Sequence, residues 1–245
     1  MVLGGYNVLI EWGYVPITKP AIAWHRAGNG NWKASDRGAA YDTYEADVNF
    51  RGTFAEMQDL EQAIFDSRDT VTATFSTGEE IFGADIDLAG NITVSITDPG
   101  ATEQVGYDVY TRTMRLRLAQ APSFTGTAAI TSLRLASFQS TQMTDVDTVK
   151  DFAWDKTAFL HDLHTDPGIF EADFTQTHAE ATAIRRYLLT TGRASAVAFP
   201  SIGIDYPFGY AAGSGPFTCK VVEWSDTGRK NYIEWGFHIK LAREF

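Results

Sequence analysis

Two periodicities divide this chain. Over most of its length apolar and polar side chains alternate with period two, the spacing of a strand whose two faces differ. Residues 109–118 show it: Tyr110, Arg112, Met114, Leu116 and Leu118 fall mostly on one face, Thr111, Thr113, Arg115 and Arg117 on the other. Similar β-branched and aromatic runs cover 7–12, 71–75, 81–86, 92–96, 194–199, 218–224 and 232–241. Ala89-Gly90-Asn91, Asp98-Pro99-Gly100 and Asp226-Thr227-Gly228 supply turn signals between them. Only two stretches change to the helical period. Residues 54–66 place Phe54, Met57, Leu60, Ile64 and Phe65 in one stripe, and residues 178–190 do the same with Ala181, Ile184, Tyr187 and Leu188. The fold class expected is therefore mainly β with α (α+β).

The two helical stretches occur in matching surroundings. Tyr44-Glu45-Ala46-Asp47-Val48 precedes the first, and Phe170-Glu171-Ala172-Asp173-Phe174, 126 residues later, precedes the second. Thr53-Phe54-Ala55-Glu56 and Thr177-His178-Ala179-Glu180 follow, now 124 residues apart, so the connecting turn is shorter by two in the second copy. Each Thr-x-x-Glu is a capping box, in which side chains satisfy two amides that the first helical turn leaves open. Gly192 is a candidate terminator of the second helix. Each helix leads to a strand ending at Phe75 or Phe199, and Arg115-Leu116-Arg117-Leu118-Ala119 resembles His238-Ile239-Lys240-Leu241-Ala242. A fixed spacing near half the chain length implies tandem duplication. The expected domains are 1–122 with a helix at about 54–66, and 123–245 with a helix at about 178–190; residues 122–127 are the linker candidate. In the second copy Ser132-Leu133-Arg134-Leu135 stands where the opening strand should be, and Phe152-Ala153-Trp154 echoes Ile22-Ala23-Trp24.

Composition narrows the function. At 245 residues, 44% hydrophobic and 13% aromatic, the chain has the material for a packed core. A net charge of −11 lacks the basic face of a nucleic-acid clamp. One cysteine, Cys219, excludes an intrachain disulfide and a four-cysteine zinc site, and its apolar strand setting suits a buried thiol. No stretch reads as a membrane span, and the chain is expected to be made in the cytoplasm. No Gly-x-Ser-x-Gly, P-loop or His-Glu-x-x-His occurs. Gly28-x-Gly30 lacks the third glycine and following helix of a dinucleotide site. Asp85 with Asp87, and Glu79 with Glu80, read as surface carboxylates. His161-Asp162-Leu163-His164-Thr165-Asp166 carries metal-ligand types, but in a loop-like setting with no third partner. No catalytic, cofactor or metal site is expected, and the chain is not read as an enzyme.

Contact surfaces are the remaining candidates. Met1–Tyr6 has the character of an arm that orders on a neighbour. Residues 26–43, which include Trp32, form a long loop or a hairpin tip. Residues 200–216 alternate Tyr206, Phe208 and Tyr210 in a Gly-Pro-rich run, which suits either a protein interface or a hairpin packed on its own domain. Tyr6, Trp32, Tyr206, Phe208 and Tyr210 are the named contact candidates.

The doubled order of strands, Thr-capped helix (Thr53 onward and Thr177 onward) and β-rich remainder resembles the tail-tube fold of long-tailed phages, shared by tail-tube, distal-tail and baseplate-hub proteins. The resemblance implies a β-sandwich or barrel with one flanking helix in each half, and three chains closing a pseudo-hexameric ring around a DNA channel. It implies a virion tail protein whose partners are copies of itself and neighbouring tail or baseplate proteins, with DNA passing through an acidic lumen. A tandem β-sandwich module binding carbohydrate or protein, with Trp32, Tyr206, Phe208 and Tyr210 as stacking platforms, is the alternative.

Overall fold

A computed structural model describes residues 1–11, 14–27, 32–67, 70–75, 80–83, 86, 90–122, 124, 130, 133–141, 148–152, 158–162, 169–199, 217–231 and 233–243. These form a mainly β protein of antiparallel strands with two α-helices. In chain order the first half contains β1 (Val2–Leu3), β2 (Tyr6–Asn7), β3 (Val15–Lys19), β4 (Ile22–Arg26), β5 (Trp32–Asp36), a 3-10 turn (Ala39–Tyr41) and β6 (Thr43–Gly52). It continues with α1 (Phe54–Ser67), β7 (Val71–Phe75), β8 (Gly90–Asp98), β9 (Thr102–Gly106) and β10 (Val109–Leu118). The second half contains β11 (Leu135–Thr141), β12 (Thr148–Phe152), β13 (Ala158–Asp162), β14 (Ile169–Thr177), α2 (His178–Leu189), β15 (Ala196–Phe199), β16 (Phe217–Arg229) and β17 (Glu234–Arg243).

Alternation decides which face of each strand is buried. In β6, Tyr44, Ala46, Val48 and Phe50 are each at most 2% exposed, and they share a core with Met114 and Leu116 of β10 and Met57, Leu60 and Ala63 of α1. In β14 the corresponding set is Phe170, Ala172 and Phe174, packed with Phe237, Ile239 and Leu241 of β17 and Ala181, Ile184 and Leu188 of α2. Both helices start as the sequence requires. The Thr53 and Thr177 amides each donate to the Glu three residues on, at 2.7 and 2.9 Å, and each Glu amide returns a 3.4 Å bond to the threonine hydroxyl.

The first sheet runs β2-β1-β7-β8-β10-β6-β3, with β9 also on β10; the second runs β15-β16-β17-β14-β11. Taken from β7, the two orders are the same. Registers agree as well. Ala46 faces Leu116 as Ala172 faces Ile239, and Val48 faces Met114 as Phe174 faces Phe237. At the edge Val15 faces Asp47 as Ser137 faces Asp173. The two separate hairpins match too: Ile22 pairs Asp36 as Thr148 pairs Asp162. In that alignment Ile22 corresponds to Thr148 and not to Phe152, while Ala153 and Trp154 of the expected echo lie outside the described residues.

Several expectations are corrected by tertiary context. Residues 81–83 do not open a strand: Ile81 and Phe82 are buried in a turn closed by the Gly83 amide on the Glu80 carbonyl, 3.0 Å, and 84–85 lie outside the described residues. Asp226-Thr227-Gly228 is a bulge inside β16 and not a hairpin turn, and Asp98-Pro99-Gly100 is a kink between β8 and β9, both of which pair β10. In each the aspartate accepts the glycine amide at 2.9 Å, and both glycines have positive φ. The opening strand of the second half is β11, which begins at Leu135, the last residue of the expected 132–135 run; the Arg134 carbonyl already accepts the Thr175 amide at 2.8 Å, and Ser132 lies outside the described residues. Of residues 7–12, Asn7 ends β2 and Ile10 bridges Phe50, flanked by backbone bonds from Glu11 to Asn49 and from Arg51 to Leu9; Trp12 lies outside the described residues. Met1–Tyr6 is not a free arm: β1 pairs β7, and Leu3 is fully buried. Of residues 26–43, 28–31 lie outside the described residues, and the rest hold the end of β4, all of β5, the 3-10 turn and the start of β6; His161 and Asp162 lie in β13 rather than a loop. Helix α2 ends at Leu189 with Thr190 as its cap, and it is Ala194 that takes positive φ; Gly192 instead leaves room for the Tyr187 ring. The expected linker at 122–127 lies mostly outside the described residues.

Candidate assembly interface

The contact between the halves is built by residues that helical periodicity alone reads as polar. In α2, Arg185 sits on the lattice of Ala181, Ile184 and Leu188, and it is fully buried. A buried guanidinium is tolerable only with a counter-charge and acceptors for its donors. Asp226 of β16 supplies the charge at 2.8 Å from Nη1, its own side chain fully buried. From the first half, the Thr18 hydroxyl lies 3.0 Å and the Phe82 carbonyl 3.3 Å from Nη2. The Trp224 ring lies beneath the guanidinium at 5.7 Å. Gly83, at φ +134°, is obligatory here because a Cβ would collide with that guanidinium. The Asp226–Gly228 bulge brings β16 against the start of β3, where a Cβ on Gly228 would stand 3.1 Å from the Tyr14 carbonyl.

Apolar packing follows the same line. Leu189, one turn beyond Arg185, belongs to the first core and not to the second, and Tyr14 and Trp224 pack against both. Arg193 then forks across Asp36 and Asp42. Its Nε and Nη2 reach Asp36 at 2.7 and 2.8 Å, and its Nη1 and Nη2 reach Asp42 at 2.6 and 2.8 Å. Hydrogen bonds from Arg193 hold the Asp36 carboxyl below its usual range. Lys220 donates to the Trp32 carbonyl at 2.7 Å, and His178 meets Glu80 at the rim.

Of the contact candidates, Tyr6 is half-buried against its own core, leaving only part of its ring for a neighbour. Trp32 lies at the junction, its indole nitrogen buried with no hydrogen-bond partner among the described residues. Tyr206, Phe208 and Tyr210 lie outside the described residues, as do Asp85, Asp87, Glu79 and His164. Arg185, Asp226, Arg193 and Leu189 escaped sequence reading. The available signal was an arginine at an inward helical position, between Ile184 and Leu188.

Chemistry is sparse elsewhere. A cavity of about 140 Å³ at the junction, between Ile22, Trp24, Leu188 and Trp224, is smaller than a typical ligand site. An open groove of about 700 Å³ runs along Leu9, Ile10, Arg51 and Val109. Its acids are engaged: Glu11 with Arg51, Glu56 with Thr53, and Asp108 with the Phe54 amide. No group of three or more His, Cys, Asp or Glu side chains converges among the described residues. Cys219 is buried. No described helix is long and apolar enough to cross a membrane. No family model matches this chain, and no curated protein matches it.

Proposed function

We propose that this chain is a structural protein of a phage tail, with two tube-like halves arisen by duplication, and that three copies close a pseudo-hexameric ring around the DNA channel. The tail tube is the first assignment and the distal-tail or baseplate-hub ring the second. The observation that carries the reading is the agreement of strand order and register between the halves, together with the kind of contact they make. Helix α2 and β16 of one half meet edge strand β3 and the 80–83 turn of the other, so two different surfaces are joined. A contact between unlike surfaces propagates around an axis, and a closed ring is its finite solution.

Charge supports the same reading. The sheet face turned away from each helix carries paired charges, Asp47 with Arg115 and Glu45 with Lys19 in one half, Asp173 with His238 and Glu171 with Lys240 in the other. On a chain of net charge −11, pairing of this kind neutralises these cations, which suits a surface past which phosphates slide. In this reading the protein is made in the host cytoplasm, ends in the virion tail, and touches copies of itself and adjoining tail or baseplate proteins. Light scattering and negative-stain imaging of the purified chain test it. Trimeric rings or stacked tubes are expected; a chain that stays monomeric at high concentration overturns it.

A further inference from the structure

One helical face meets the other half at Arg185 and Leu189 in the second copy; in the first it is exposed, with Phe54 beside Tyr110 and Glu61 paired with Arg112 of its own half. In α2 the stripe His178, Thr182, Arg185 and Leu189 faces the other half: Arg185 and Leu189 are 0% and 2% exposed, and His178 pairs with Glu80 across the junction. Counting from the capping threonines, the matching residues of α1 are Phe54, Gln58, Glu61 and Phe65. All four are exposed, Phe54 at 52% and Phe65 at 73%. The sequence spacing had put both phenylalanines in the stripe that packs inward, yet the inward set is Met57, Leu60 and Ala63. Two large apolar side chains on one exposed helix face, about three turns apart, are the feature of this face that a partner surface would cover.

The neighbouring kink repeats the pattern. Asp226-Thr227-Gly228 is pressed against β3, whereas Asp98-Pro99-Gly100, of the same form, is exposed beside α1's half of the sheet. The strand that β3 corresponds to is β11. It is an edge of the second sheet, paired to β14 in the register in which β3 pairs β6, with no strand on its other side among the described residues.

We propose that the face formed by Phe54, Gln58, Glu61 and Phe65 docks on the β11 edge of a second copy of this chain. It would repeat between chains the contact that α2 makes with β3 within one. This rests on the ring reading, and it names the surface that closes the ring. These two different surfaces are the complementary pair that a closing heterologous contact requires.

The test compares the wild-type chain with Phe65→Asp and Gln58→Arg by multi-angle light scattering and negative-stain imaging, with circular dichroism as the check on folding. A trimeric wild type and folded variants whose assembly is weakened at least tenfold are expected. Where Phe65→Asp loses its fold, Gln58→Arg, which alters only an exposed polar side chain, decides. A wild type and variants that assemble alike overturn this face while leaving the ring reading intact. A wild type that remains monomeric overturns both.

Discussion

At the scale of single residues, the junction holds a fully buried charge pair, Arg185 with Asp226, neither member of which is tolerable alone. Truncating Asp226 to Ala takes the carboxylate from a guanidinium that stays out of water, and is expected to cost about 3–5 kcal/mol. The double variant Arg185→Met, Asp226→Leu is expected to cost less than that single change, because no buried charge remains; urea denaturation of both proteins checks the order. Three further carboxyls are held below their usual range. Asp36 is held down by Arg193, Glu56 by the Thr53 amide, and Asp173 by Ser137 and His238. A carboxyl whose folded value lies below its unfolded one contributes in full above the unfolded value and loses that contribution as pH falls through the folded one. Stability should therefore be level near neutral pH and fall below pH ~4. Asp36→Asn should flatten part of that fall, since it removes one depressed carboxyl, as denaturation at pH 7 and pH 3 would register.

At the scale of elements, the two capping boxes are the most portable local signals, and they need not weigh the same. Glu180 also meets Arg134 at 3.4 Å and caps a partly buried turn, whereas the Thr53–Glu56 box is exposed. Glu180→Ala should thus cost about 1 kcal/mol and Glu56→Ala less, compared by thermal unfolding. Helix limits, capping and the strand β10 were readable because each depends on neighbours within a few residues. The 81–86 segment was not: its apolar run has strand character, but Gly83 must leave room for Arg185, which lies more than 100 residues away in sequence. The aspartate–glycine motifs at 98–100 and 226–228 misled for a related reason. An aspartate that accepts the amide of the second residue on makes a turn or a bulge alike, and only the partner strand selects between them.

At the scale of the whole molecule, the halves are mutually buried, not merely joined in series. Leu189 completes the first core, Arg185 needs Thr18, and Trp224 packs on both cores. The chain should consequently unfold in one cooperative transition, with calorimetric and van't Hoff enthalpies in agreement; two resolved transitions would mean independent halves. The sequence by itself determined the β-rich class, both helices with their caps, and the 126-residue spacing between Tyr44 and Phe170, because periodicity and capping are written in short windows. Tertiary structure alone decided that Phe54 and Phe65 face out while Arg185 faces in. Helical spacing says which residues share a face, but what lies opposite that face is set by chain far away.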